Sequence, residues 1–213
     1  LKNVSALNLR AHFSSYLSST RHSTPSDQLA AIQSSGVRSN IAIDMFADSD
    51  PLIAFANTTT HPEYEIMIWL SQTQSISPVG SESSYTFPIA NTNFRLWSGK
   101  NPHGQTTFSW LAPVDANLEY INADYSPLLH FLWQNNMLPD SAYLGSVQFG
   151  SEIFYSSGVN VTFEASGCDF EVLKNGAQQL APLQIPKSSN AIGLEVAWLS
   201  SGILLFVGAL FCC

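Results

Sequence analysis

Apolar and polar positions alternate most clearly at "EYEIMIWL", residues 63–70. In a strand, successive side chains turn to opposite faces. Tyr64, Ile66, Ile68 and Leu70 therefore form a core face, and Glu63, Glu65, Met67 and Trp69 form the other. An unpaired buried carboxylate is costly, so the face bearing Glu65 has to meet water or a ligand. The same pattern recurs at "NIAIDMF", residues 40–46, where Ile41, Ile43 and Met45 oppose Ala42, Asp44 and Phe46. It recurs again at "SVQFGSEIF", residues 146–154, where Val147, Phe149 and Ile153 oppose Gln148, Gly150, Glu152 and Phe154. Three strands thus each place one carboxylate opposite their core face: Asp44, Glu65 and Glu152. If the strands are neighbours in one curved sheet, the acids converge.

Further strand candidates lie at 85–89, 92–97, 105–112, 143–149, 152–155 and 159–165, separated by Gly, Pro, Asn and Ser. Many short strands at this spacing predict an all-β sandwich. "LAAIQ", followed by the turn signal Ser34-Ser35-Gly36, predicts a hairpin with the strand through Asp44. Residues 1–28 are Ser-rich, with one weak strand near Ala6 to Phe13. Ser126 as N-cap with Pro127 behind it opens one amphipathic helix, carried by Leu128, Leu129, Phe131, Leu132 and Met137 and ended by Pro139. This helix is expected across the outside of a sheet. The chain divides into a poorly defined N-terminal segment, 1–28; a sandwich domain, 29–170; a polar linker, 171–190; and an apolar tail, 191–213.

Length and charge narrow the functional classes. The 213 residues are enough to bury one domain's core. With 16 Asp and Glu against 8 Lys and Arg, the net charge is −8, and no basic cluster exists to neutralise phosphates. This excludes nucleic acid as partner and favours an uncharged one. Three sequons, at Asn3, Asn57 and Asn160, suit a secreted chain. Cys168 stands alone in the body of the sequence, so no internal disulfide can be drawn. The terminal run "AWLSSGILLFVGALFCC" is uncharged. Preceded by the small residues Ser188, Ser189 and Asn190, it matches a GPI-attachment signal, with a tail anchor or a mis-predicted gene end as the alternatives. The expected setting is extracellular, with membrane attachment through that tail and a monomeric chain.

Two carboxylates on either side of a sugar bond are what glycoside hydrolysis needs: one ionised at the anomeric carbon, the other protonated to release the leaving oxygen. A lone Glu on an exposed strand more often just points into water. Three acids in matched patterns, flanked by Met67, Trp69, Gln148 and Phe154, favour a site. Trp97, Trp110 and Trp133 suit core packing better than sugar stacking. The five histidines show no metal-ligand spacing, and no nucleophile elbow, P-loop or dinucleotide fingerprint occurs. No cofactor and no metal are implied.

"NIAIDMF", "YEIMIWLS" with "SPVG" shortly after it, and "SVQFGSEIF" resemble, in order and spacing, the three signatures of glycoside hydrolase family 12. The members of that family are endo-β-1,4-glucanases and xyloglucan-specific endoglucanases. The resemblance covers about residues 29–170 and implies a β-jelly roll of two curved antiparallel sheets with one α-helix on the convex side. By it, Glu65 is the nucleophile, Glu152 the general acid/base and Asp44 a supporting carboxylate. It makes Met67, Trp69 and Gln148 parts of the cleft wall, and Pro78-Val79-Gly80 part of a loop crossing the cleft. Such a retaining enzyme sets its two catalytic carboxyls about 5–5.5 Å apart. The chain departs from the pattern at Ser151 for Thr, at Ile153 for Pro and at Ser77 for Gly. By the resemblance, outer strands and an aromatic platform are expected ahead of the position of Leu1, so the chain reads as a fragment or as a protein that has lost part of its cleft. These departures motivate the alternative of a truncated glucan-binding or decoy relative without activity, but the intact trio Asp44, Glu65 and Glu152 favours a retaining endo-acting hydrolase of β-1,4-glucan.

Overall fold

In a computed structural model the described residues are 1–56, 61–73, 76–114, 116, 118–156 and 158–175, with the backbone of 192–195 and 205–210. Asn57 and the small residues 188–190 lie outside them. Two sheets face each other. The smaller runs β10-β9-β1-β7 and the larger β11-β8-β2-β3-β6-β5-β4. The strands are β1 Val4–Leu17, β2 Arg38–Asp48, β3 Tyr64–Gln72, β4 Ser81–Ile89, β5 Thr92–Lys100, β6 Thr106–Leu111, β7 Tyr120–Asp124, β8 Tyr143–Tyr155, β9 Val161–Lys174, β10 Ile192–Glu195 and β11 Leu205–Leu210. Among the described residues all pairings are antiparallel except β3 with β6, which run parallel.

The alternation read from the sequence decides which face of the larger sheet turns inward. Ile43, Met45, Ile66, Ile68 and Leu70 of β2 and β3 are fully buried and pack in one cluster with Leu7, Leu9, Ala11 and Phe13 of β1. Burying each such aliphatic side chain contributes about 1.5–3 kcal/mol. Trp110 is fully buried in this cluster and Trp133 packs against it, so both are structural. The architecture is the expected all-β jelly-roll sandwich.

Several expectations need correction. "LAAIQ" is not a strand: it lies in α1, Pro25–Ser34. Thr24 accepts a hydrogen bond from the Asp27 N–H at 3.2 Å, and Pro25 occupies the first turn, a helix start signal that outweighs the apolar run behind it. The N-terminal stretch, placed outside the sandwich, supplies β1, the partner of both β7 and β9. The tail, likewise kept out of the fold, pairs its backbone with β9 through β10 and with β8 through β11. Segments 143–149 and 152–155 are one strand, β8, because Gly150 and Ser151 stay in register opposite Ala42 and Ile41.

A second short helix, α2 Pro51–Ala54, packs against β8 at Gly145, where a Cβ would fall 1.8 Å from the Ala54 carbonyl oxygen. The predicted helix is present as α3, Ser126–Gln134, but Ser126 is its first residue rather than its cap. Asp124 satisfies that end instead: Oδ1 accepts from the Ser126 N–H at 2.9 Å and from the Leu7 N–H at 2.8 Å, tying the helix start to β1.

Candidate active site

The face of the larger sheet turned away from the core carries the three acids. β2 contributes Asn40, Ala42, Asp44 and Phe46, β3 contributes Glu65, Met67 and Trp69, and β8 contributes Gln148 and Glu152. Strand register arranges them in rows across the sheet. Glu65 lies opposite Phe46 on one side and Thr107 of β6 on the other. In the next row, Asp44 sits between Gln148 and Met67. Asn40 lies opposite Glu152.

Each acid has a different environment. Glu65 Oε2 accepts two hydrogen bonds, from Thr107 Oγ1 at 2.8 Å and from Asn101 Nδ2 at 3.0 Å. Asn101 is itself fixed in its loop, since its Oδ1 accepts from the backbone N–H groups of His103 and Gln105. The Glu65 carboxylate is therefore oriented by one strand neighbour and one loop neighbour.

Glu152 is pushed up to about 7, chiefly by burial and further by the nearby Glu65 charge, while a hydrogen bond from Asn40 pulls the other way. That bond, Asn40 Nδ2 to Glu152 Oε2, is 2.6 Å long. Asp44 is 2% exposed, and its Oδ1 has no hydrogen-bond partner among the described residues. Burial raises it well above the usual carboxylate range, and the charges of Glu65 and Glu152 push the same way. The acids thus feel one another: like charges this close in a dry setting do not all ionise together.

Met67 and Trp69 are buried in an apolar cluster with Ala42 and Leu111, against which Ile76 and Trp97 pack. The Trp69 indole N–H contacts the Met67 sulfur at 3.4 Å. Segment 76–80 therefore lies over this face, with Pro78 buried in it. Gly80 lets it do so: at φ +88° it approaches Ser98 so closely that a Cβ would fall 1.9 Å from the carbonyl oxygen. Phe154, two residues past Glu152, sits 6.0 Å from Trp69, ring centre to ring centre.

The structure brings together every residue proposed from sequence: Asp44, Glu65, Met67, Trp69, Gln148 and Glu152 on one face, with Pro78 in the loop across it. The sequence pattern does not single out Asn40, Thr107 or Asn101. Asn40 was one step back along the alternation through Ala42 and Asp44. Thr107 depends on the parallel pairing of β3 with β6, and Asn101 on a loop conformation. Glu152, pushed up to about 7, and Glu65, held by two donors, thus sit on one face in unlike environments, the asymmetry that chemistry with one proton donor and one nucleophile requires.

Known proteins resemble the chain in sequence and in fold. The probable xyloglucan-specific endo-beta-1,4-glucanase A of Aspergillus flavus is 35% identical over 153 residues, which cover 70% of this chain and 61% of that protein. The xyloglucan-specific endo-beta-1,4-glucanase 1 of Phytophthora sojae is 35% identical over 103 residues, covering 47% of this chain and 41% of that protein. The chain thus spans about three fifths or less of the length of these relatives. The crystal structure of Trichoderma harzianum endoglucanase 3 superposes with a TM-score of 0.60 at 24% identity, over 79% of this chain and 63% of the other, which shows the common fold. The family model for glycosyl hydrolase family 12 matches residues 3–171, from just before β1 to near the end of β9, and the chain belongs to that family.

Proposed function

We propose that the chain is a retaining, endo-acting hydrolase of β-1,4-glucans of the xyloglucan or cellulose type, working by double displacement. The observation that carries this reading is the asymmetry of the two glutamates. Glu152 holds a proton up to about pH 7, whereas Glu65 is oriented by Thr107 and Asn101. In the first step Glu152 gives its proton to the glycosidic oxygen as the C–O bond breaks, and a Glu65 oxygen bonds to the anomeric carbon. In the second, Glu152, now ionised, takes a proton from water, which attacks the same carbon and releases Glu65. Two inversions leave the configuration unchanged.

Asp44 is buried, and burial together with the charges of Glu65 and Glu152 opposes a third negative charge beside the pair. Its carboxyl acts on the reaction through Glu65 and Glu152 rather than on the sugar. Support for a glucan substrate comes from the xyloglucan-specific relatives; support for an extracellular setting comes from the exposed sequon residues Asn3 and Asn160.

The test is to incubate the purified chain with xyloglucan and with carboxymethyl-cellulose and measure new reducing ends. Release by the natural chain and none by Glu65→Gln supports hydrolysis. Binding without release would instead support a glucan-binding relative.

A further inference from the structure

A rigid aromatic ledge stands beside the acids and outside the catalytic machinery. Phe55, just after α2, is 62% exposed and Tyr143, the first residue of β8, is 44% exposed. Their rings meet edge to face, centroids 6.1 Å apart at 71°. Leu52 of α2 is 80% exposed. The aromatic pair offers an exposed apolar surface that a ligand can cover.

Register says which surface this is. Tyr143 lies opposite Asp48, and Asp48 follows Asp44 and Phe46 at every second position of β2. Tyr143 is therefore on the same face as the three acids, one step along β2 beyond the row containing Glu65. Two strand spacings and two residues separate it from Glu65, about 12 Å by strand geometry. Phe46, half-buried and opposite Glu65, fills the interval. The ledge continues the catalytic face.

The ledge is also held in place. Asp48 Oδ1 accepts the Asp50 N–H and Oδ2 the Glu63 N–H, each at 2.8 Å. Asp50 in turn caps α2 by accepting the Leu52 N–H at 2.8 Å. On the other side, Gly145 permits the contact of β8 with Ala54. Rings fixed before binding lose little entropy when a ligand covers them.

We propose that Phe55 and Tyr143 form a stacking platform for a β-linked pyranose of a bound glucan, outside the sugars that touch the acids. This rests on the hydrolase reading above. A β-linked glucose unit has apolar C–H faces and an equatorial rim of hydroxyls. An exposed aromatic pair covers such a face while the hydroxyls stay in water. The platform adds binding energy only for chains long enough to reach it.

The experiment compares Phe55→Ala and Tyr143→Ala with the natural chain on polymeric xyloglucan and on a short chromogenic oligoglucoside, with thermal unfolding as the folding control. The expected result is a KM on polymer raised about tenfold, equivalent to about 1.4 kcal/mol of lost binding. Kcat is unchanged, the short substrate is unaffected, and Phe55→Tyr restores the polymer KM. Equal losses on both substrates, or none on either, would overturn the platform. Electrophoresis through gels containing xyloglucan reads the platform without catalysis, using Glu65→Gln as background. Weaker retardation on adding Phe55→Ala supports it and unchanged retardation overturns it. Failure of the natural chain to cleave either substrate would count against the hydrolase reading alone.

Discussion

Asn40 grips Glu152 from two directions: its Nδ2 donates to the carboxyl at 2.6 Å, and its Oδ1 accepts the Glu152 backbone N–H at 3.2 Å. The first bond favours the ionised acid and opposes the burial that favours the protonated one. Asn40→Ala removes the donor, so Glu152 should keep its proton to higher pH. The alkaline limb of kcat/KM is expected to move upward. Kcat should fall on the order of tenfold, because the ionised base of the second step loses its support. A pH–rate profile checks both; an unmoved limb would deny Asn40 this role.

Glu152 also couples stability to pH. Its folded value, about 7, lies above the ordinary 4.5, so between these values the folded chain binds more protons than the unfolded one. Stability then falls as pH rises through that window, by on the order of 3 kcal/mol. Asp44, raised for the same reasons, adds to the slope in the same direction. Denaturant unfolding between pH 4.5 and 7.5 should show the decline, and Glu152→Gln should flatten it. A natural chain whose stability rises over this range would contradict the assignment.

Thr107 and Asn101 both act on Glu65 Oε2. Thr107→Val keeps shape and removes one donor. It is expected to lower kcat about tenfold or more and also to lower the unfolding temperature, since a hydrogen bond to a charged group contributes about 1.5–3 kcal/mol to stability. Asn101→Ala should act similarly, and the double variant should show non-additivity because both donors serve one oxygen. Steady-state kinetics of the three variants decide it.

The close approach of Gly80 to Ser98 fixes the segment whose Ile76 packs against Met67 and Trp69. Gly80→Ala sets a Cβ against a carbonyl oxygen at a positive φ, so the segment has to move. Destabilisation of about 1–3 kcal/mol is expected, with faster proteolytic cleavage near residues 76–80. Thermal unfolding and limited proteolysis measure the two effects.

Much of this arrangement was legible because strand alternation is strict. Ile43, Ile66 and Ile68 had to face the core, and Asp44, Glu65 and Glu152 were carried to the other side with them. What the pattern lacks is pairing. That Thr107 meets Glu65 follows from a parallel contact between strands separated by the β4–β5 hairpin, which local alternation does not encode. Asn101 reaches Glu65 from a loop whose shape comes from its own Asx hydrogen bonds. α1 was missed for a local reason: Thr24-Pro25 outweighs an apolar run too short to separate helix from strand. β1 was underrated because its burial comes from partners more than a hundred residues away.

The central claim is that Glu65 bonds covalently to the sugar while Glu152 handles the proton. A fluorinated β-glucoside with a good leaving group slows the second step more than the first and allows the intermediate to accumulate. Mass spectrometry of the digested protein is predicted to find one glycosyl group, on the peptide containing Glu65, and none in Glu65→Gln. A chain that releases the leaving group yet carries the label on another residue, or a Glu65→Gln variant that hydrolyses glucan as fast as the natural chain, would contradict the account.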